Sequence, residues 1–163
     1  MSNRANLLEE NLYTLFREDV DRPSADLAKP IDENSTLTGY RFLDLLETLY
    51  VVRHLDLEAR SLKGRDEGYY TIASSGHEAN AAVAAPLRPT DPAFLHYRSG
   101  GFFVERARQV PGQTPIFDVL LSLTASSDDP ISGGRHKVFG SVPLGIYPQT
   151  STIASHFPKS VGH

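Results

Sequence analysis

Phe94-Leu95-His96-Tyr97-Arg98-Ser99-Gly100-Gly101 reads as an apolar strand that runs out into Tyr-Arg and a glycine pair. A second stretch, Thr150-Ser151-Thr152-Ile153-Ala154-Ser155-His156-Phe157-Pro158, is a run of hydroxyl residues leading into an apolar segment. An arginine at a strand tip and a hydroxyl-rich turn at a helix start are the parts with which an α/β sheet holds a phosphorylated ligand. The glycines after Arg98 are expected to be flexible and to let the guanidinium reach a diphosphate at the edge of a parallel sheet. The plainer expectation for Arg98 is a surface arginine paired with a carboxylate. Only five residues follow Pro158, and a site of this kind needs further segments, so the sequence is expected to be one part of a larger machine.

Outward from these stretches the chain reads as helix-rich. Leu7, Leu8, Leu12, Leu15 and Phe16 predict a helix over 5–18, and the polar 19–37 with Pro23 and Pro30 predicts an extended arm. Phe42, Leu45, Leu46, Leu49, Val52 and Asp56 or Leu57 predict a long helix over about 38–62, stopped by Gly64. Its other face, with Arg41, Asp44, Arg53 and Glu58, is expected to be solvated or to meet a subunit. Gly68–Ile72 is β-prone, and Ser75 with Glu78 forms a capping-box pattern before an alanine-rich helix over 77–87. A strand over 93–96, helices over 101–109 and 114–123, and a turn entering a helix over 150–163 complete the reading. Residues 125–149 have no periodicity, and so long a stretch is expected to be functional or mobile.

Composition sets limits on function. The chain has 163 residues, 40% hydrophobic and 22% charged, with a net charge of −4. That is one domain's worth of chain without the basic field that nucleic-acid binding needs. A local arginine and backbone N–H groups still suffice for an anion. With no cysteine there is no disulfide, thiolate nucleophile or Cys-ligated metal. No apolar run approaches a membrane span, and the start reads as neither a signal nor a transit peptide, so the cytoplasm is expected.

Several short patterns remain open when read singly. Ser132-Gly133-Gly134-Arg135-His136 reads either as a backbone nest with a cationic side chain or as a flexible turn. His77-Glu78 lacks the second histidine of a zinc-protease helix, since position 81 is alanine, and reads as a helix start. The six histidines show no metal spacing, and no GxSxG, GxGxxG or GxxxxGK[ST] occurs.

Order and spacing give these patterns more weight. Arg53, Asp56 and Arg60 on the long helix precede Ser-Gly-His-Glu-Ala at 75–79 and Leu-Arg-Pro-x-Asp at 87–91. Tyr-Arg at 97–98, Asp-Asp-Pro-x-Ser-Gly-Gly-Arg at 128–135 and Ser-x-Ile-Ala-Ser-x-x-Pro-x-x-Val-Gly at 151–162 follow. Together they resemble the N-terminal part of the α subunit, or the α half of a fused α–β chain, of thiamine-diphosphate-dependent 2-oxo acid dehydrogenases of the branched-chain (2-oxoisovalerate) or pyruvate type. The resemblance covers roughly 38–163, whereas 1–37 resembles nothing specific.

That resemblance implies an α/β fold: an incomplete thiamine-diphosphate-binding fold, helix-rich, with the first strands of a parallel sheet. Residues 1–37 would be an N-terminal helix and arm, and 38–163 a diphosphate-binding domain truncated at its C-terminal end. By resemblance Tyr97 and Arg98 contact the cofactor diphosphate, Ser151 and Ile153 flank the cofactor, and Tyr70 lines the substrate pocket. Thr150, Thr152 and Ser155 are the counterparts of a potassium site. The implied activity is oxidative decarboxylation of a 2-oxo acid with acyl transfer to a lipoyl group. The implied partners are a β subunit or β half, a lipoyl-bearing acyltransferase and further copies of the chain.

The chain also departs from the family. Gly134-Arg135-His136-Lys137-Val138 stands where relatives carry Gly-Arg-Gln-Met-Pro or Gly-Gly-Ser-Met-His. The family's Gly-Asp-Gly…Asn magnesium ligands would lie beyond His163, and its activating glutamate lies in the β subunit. This stretch alone is therefore expected to be inactive, to bind thiamine diphosphate weakly or not at all and to self-associate, and no residue is nominated as catalytic. Two alternatives stand beside this expectation: a non-catalytic helical interaction module, and a related acetoin-type thiamine-diphosphate enzyme.

Overall fold

The computed structural model describes residues 26–70 and 74–163, together with Asn6, Leu7, Glu10, Asn11, Tyr13 and Thr14. The chain divides into two compact units, Met1–Arg41 and Phe42–His163. In the first unit the six N-terminal positions are helical, and Thr14 Oγ1 donates to the Glu10 carbonyl at 2.9 Å. The rest of the helix expected over 5–18, and 19–25 of the arm, lie outside the described residues. Residues 26–38 form turns rather than an extended arm. The Asp26 and Asp32 carboxylates accept from the Ala28 and Asn34 N–H groups at 3.1 and 2.9 Å, and Pro30 bridges to Thr38. Side chains that bond the backbone two residues on close such turns locally.

Helix α1 spans Gly39–Gly64, and Thr38 Oγ1 caps it by accepting the Arg41 N–H at 3.3 Å. Beyond Gly39 at its start, its buried positions are Thr48, Val52, Leu55, Asp56 and Ala59, a helical stripe set later along the helix than the sequence pattern predicts. Phe42, expected on that stripe, is exposed. Thr48 holds its buried place by hydrogen bonding: its Oγ1 donates to Glu105 Oε2 at 2.7 Å and accepts from Arg108 Nε at 3.0 Å. Arg53, expected to be solvated or to meet a subunit, donates to Ser75 Oγ at 2.5 Å and pairs with Glu78 of the same chain.

Gly68–Tyr70 forms no strand, and residues 71–73 lie outside the described residues. The alanine-rich helix is shorter than expected: a 3₁₀ turn, Glu78–Asn80, leads into helix α2, Ala81–Ala84. Pro86 has no N–H with which to continue the ladder, so the last bonds are Ala85 N–H to Ala81 O and Leu87 N–H to Ala84 O. The small side chains do allow close packing, with Ala81 and Ala84 fully buried where α2 meets helix α3, Gly100–Arg108.

Strand β1 is Ala93–Phe94 and strand β2 is Ile146–Tyr147. They pair in parallel, Ala93 with Ile146 and Phe94 with Tyr147, and the two rings stack at 5.1 Å. Pro92 and Pro148 flank this ladder, and a residue without an N–H cannot extend it. Helix α4, Pro115–Leu123, and helix α5, His156–Gly162, complete five described helices. The fold is therefore α/β and helix-rich, with a two-stranded parallel sheet. One core joins Val52, Leu55 and Ala59 to Phe102, Phe103, Val104, Val119, Leu123, Phe139, Leu144 and Ile146.

Gly100 and Gly101 are not the flexible joint their composition suggests. Both are buried in the first turn of α3, where a Cβ on Gly100 would lie 2.6 Å from Ser74 Oγ and one on Gly101 2.4 Å from Glu78 O. Other segments cap this helix: Gly100 N–H donates to Ser74 Oγ at 3.1 Å and Phe102 N–H to Asn80 Oδ1 at 2.9 Å. Asn80→Ala is expected to lose about 1–2 kcal/mol, since it leaves the Phe102 N–H without its acceptor. Urea denaturation of the two proteins checks this, and an unchanged midpoint would show that the cap contributes nothing.

The aperiodic segment is built around one carboxylate. Asp129 is buried and accepts the N–H groups of Ile131, Ser132 and Gly134 at 3.2, 3.2 and 3.4 Å and the Ser132 hydroxyl at 2.5 Å. Gly134, at φ +76°, backs onto Ala125, whose carbonyl oxygen would lie 2.2 Å from a Cβ. The nest pattern in 132–136 is thus filled from within the chain by Asp129, rather than being open to an outside anion.

Candidate functional site

Parallel pairing is what assembles the site. Because β1 and β2 run the same way, residues 95–98 and 148–151 leave the sheet over the same edge. The carboxyl ends of adjacent parallel strands are where α/β sheets take ligands. α5 follows the second segment and packs against β1, bringing the His156 ring to 6.4 Å from that of His96. The edge thus carries His96, Tyr97 and Arg98 from one strand and Thr150, Ser151 and His156 from beyond the other.

Tyr97 and Arg98 sit in the turn immediately after β1, both half-buried, with the guanidinium 5.2 Å from the Tyr97 ring centroid. The His96 ring packs on Tyr97 at 3.8 Å, and its Nδ1 accepts the Arg98 N–H at 3.3 Å. Burial holds the His96 pKa below the usual imidazole range, and His156, Arg98 and His77 add repulsion. A neutral ring suits the acceptor role that Nδ1 has here.

Ser151 is half-buried and its Oγ lies 2.9 Å from His136 Nε2, which ties the hydroxyl turn to the segment after Gly134. Thr150 Oγ1 lies 3.3 Å from Ser155 Oγ, and the Thr152 carbonyl accepts the Ser155 N–H at 3.1 Å, so two of the three potassium candidates meet through their side chains. Ile153 is 75% exposed on the same turn. Tyr70 is half-buried against the core, and its hydroxyl donates to the Arg135 carbonyl at 3.2 Å. Of the capping-box pair, Glu78 does reach back, its Oε2 accepting the Gly76 N–H at 2.8 Å, but the Ser75 hydroxyl goes to Arg53 instead. Among the described residues no three His, Asp or Glu side chains are grouped to share a metal ion.

The residue that sequence reasoning passed over is Lys137, which follows His136 directly. It is 7% exposed, with Nζ 4.4 Å from the Phe139 ring centroid, and burial lowers its pKa to about 8. Asp56 raises that pKa and Arg98 lowers it further. The departure at 136–137 from the pattern of the resembled family was the only sequence signal pointing to it. Asp56 is also buried: Oδ1 accepts the Ser74 N–H at 2.9 Å, while Oδ2 has no hydrogen-bond partner among the described residues. Asp56, Ser74, Gly100 and α3 thereby form one chain of contacts running from α1 to the turn that carries Arg98.

None of the described helices is long and apolar enough to cross a membrane. Comparison with known protein families, with curated proteins and with solved structures finds no match for this chain.

Proposed function

We propose that this chain contributes the diphosphate side of a thiamine-diphosphate-dependent 2-oxo acid dehydrogenase, as part of its decarboxylating component. The observation that carries the reading is the parallel β1–β2 pair, which sends the Tyr97-Arg98 turn and the Ser151 turn off the same sheet edge. The residues at that edge fit an anionic group: a guanidinium, two histidines and hydroxyls, with the Asp129 carboxylate turned inward on its own loop.

In this reading Arg98 and Tyr97 hold the diphosphate, and Ser151, fixed by His136, bonds the same group. Ile153 borders the ring portion of the cofactor, and Tyr70 lines the approach of the 2-oxo acid. Thr150, Thr152 and Ser155 would hold a potassium ion that stiffens the hydroxyl turn. When bound, thiamine diphosphate supplies the electron sink for loss of carbon dioxide. Magnesium, a β-type partner and a lipoyl-bearing acyltransferase complete the activity. The chain's own task is to anchor and orient.

Titration of the chain with thiamine diphosphate, followed by NMR, tests this. Weak, saturable binding with shifts at residues 96–98, 136 and 151 is expected. Arg98→Ala should weaken it at least tenfold, the loss of one charge-assisted contact. Binding that unphosphorylated thiamine matches, or that Arg98→Ala leaves unchanged, would overturn the reading.

A further inference from the structure

The edge that carries Arg98 has a buried pair of charges beneath it. Asp56 reaches from α1 and Lys137 from the segment before Phe139, and both line a cavity of about 20 Å³ with Val52, Leu55, Ser74 and Val104. That is room for a single water molecule. The Asp56 carboxylate is nine-tenths buried, its Oδ2 has no hydrogen-bond partner among the described residues, and it shares the lining of this cavity with Ser74 and Lys137. On its other side Lys137 lines a second small cavity with Asp118 of α4 and Asp129, the latter engaged by its own loop. Arg98 acts on Lys137 from the strand end. Lys137 is also one peptide away from the imidazole that bonds Ser151.

We propose that Lys137, paired with Asp56 across this cavity, is the proton-linked second cation of the strand-end site and takes up a proton when a diphosphate binds at Arg98. The inference rests on the reading of that edge as a diphosphate site, and it adds a residue that acts through the field rather than by contact. The physical sequence is simple. In the free protein the guanidinium and burial both disfavour a second positive charge, and Asp56 alone favours it. A bound diphosphate cancels the guanidinium's repulsion and adds attraction, so above pH 8, where the free protein holds mostly the neutral amine, the ammonium form becomes the stable one. One proton moves from solvent to Nζ and no bond is formed or broken. Because Lys137 is a positioning group, its signature is proton linkage.

Isothermal titration with thiamine diphosphate at pH 8.5, in buffers of different ionisation enthalpy, reads this directly. At that pH the ligand's phosphates are fully ionised, and histidine uptake belongs to lower pH. An uptake of about half a proton or more per ligand is expected, falling toward zero for the lysine contribution at pH 6.5. Lys137→Met should abolish the uptake at pH 8.5 and weaken binding about three- to tenfold. Lys137→Arg, which keeps the charge at every pH, should bind as well as the wild type with no uptake. Binding that Arg98→Ala removes but that carries no proton uptake, or uptake that survives in both Lys137 variants, overturns this inference and leaves the site reading standing. No binding by the wild type overturns both.

Discussion

Arg106→Met is expected to cost the fold about 3–5 kcal/mol, a large part of the stability of a domain this size. Arg106 is completely buried in α3, and its Nη1 alone donates to three carbonyl oxygens: Pro89 at 3.3 Å, Asp91 at 3.0 Å and Leu144 at 3.2 Å. Those carbonyls belong to the chain entering β1 and the chain entering β2, so one guanidinium fixes the approach of both strands. The Phe102 ring lies 5.0 Å from its Cζ. Its Nε and Nη2 are buried without partners among the described residues, and burial lowers its pKa, so the residue also carries a desolvation cost. Methionine removes that cost but orphans three acceptors, one buried and two part-buried, and the second effect is the larger. Arg106→Lys distinguishes the two contributions. The three oxygens converge on one nitrogen, and an ammonium has three donors, so lysine should recover about half of the loss. Urea denaturation of the three proteins measures this, and equal stability of Met and Lys variants would rule out the carbonyl account.

The second large effect is on stability as a function of pH. A lysine whose pKa falls from 10.5 unfolded to about 8 folded binds fewer protons in the native state between those two values. Stability must therefore rise with pH across that window, because the unfolded chain is the one that loses protons there. The cost of the buried ammonium is fully present below pH 8, amounts to about 3 kcal/mol, and disappears above 10.5. Relative to Lys137→Met, the wild type should gain about 2–3 kcal/mol between pH 7 and pH 10. Denaturant midpoints of both proteins at the two pH values measure it. Parallel pH profiles would mean that the amine is solvated or fully paired.

Two of the places where sequence and structure part company, Gly100-Gly101 and Arg53, share one cause: contacts between residues distant in the chain. Gly100-Gly101 carries the composition of a hinge, yet Ser74 and Glu78 press against it, and nothing near it in the chain reveals that. Arg53 lies on what reads as an outer helix face, but the 75–78 segment returns to cover it. Residues 132–136 have the glycines of an anion nest, and the anion is Asp129 from a few positions earlier in the same loop. α1, by contrast, runs close to the span read and stops at its glycine, because helical periodicity and glycine stops are local devices.

By itself the sequence determined the helix-rich α/β class, the span and glycine stop of α1 and the helix α4, through periodicities and backbone preferences that act within a few residues. It also set the residues at the strand tip and the hydroxyl turn apart from the rest. Only the tertiary structure decided that the two stretches leave one sheet edge together, and that Asp56 and Lys137 lie buried beneath it. Parallel pairing and burial each join residues tens of positions apart, and no local preference records the partner.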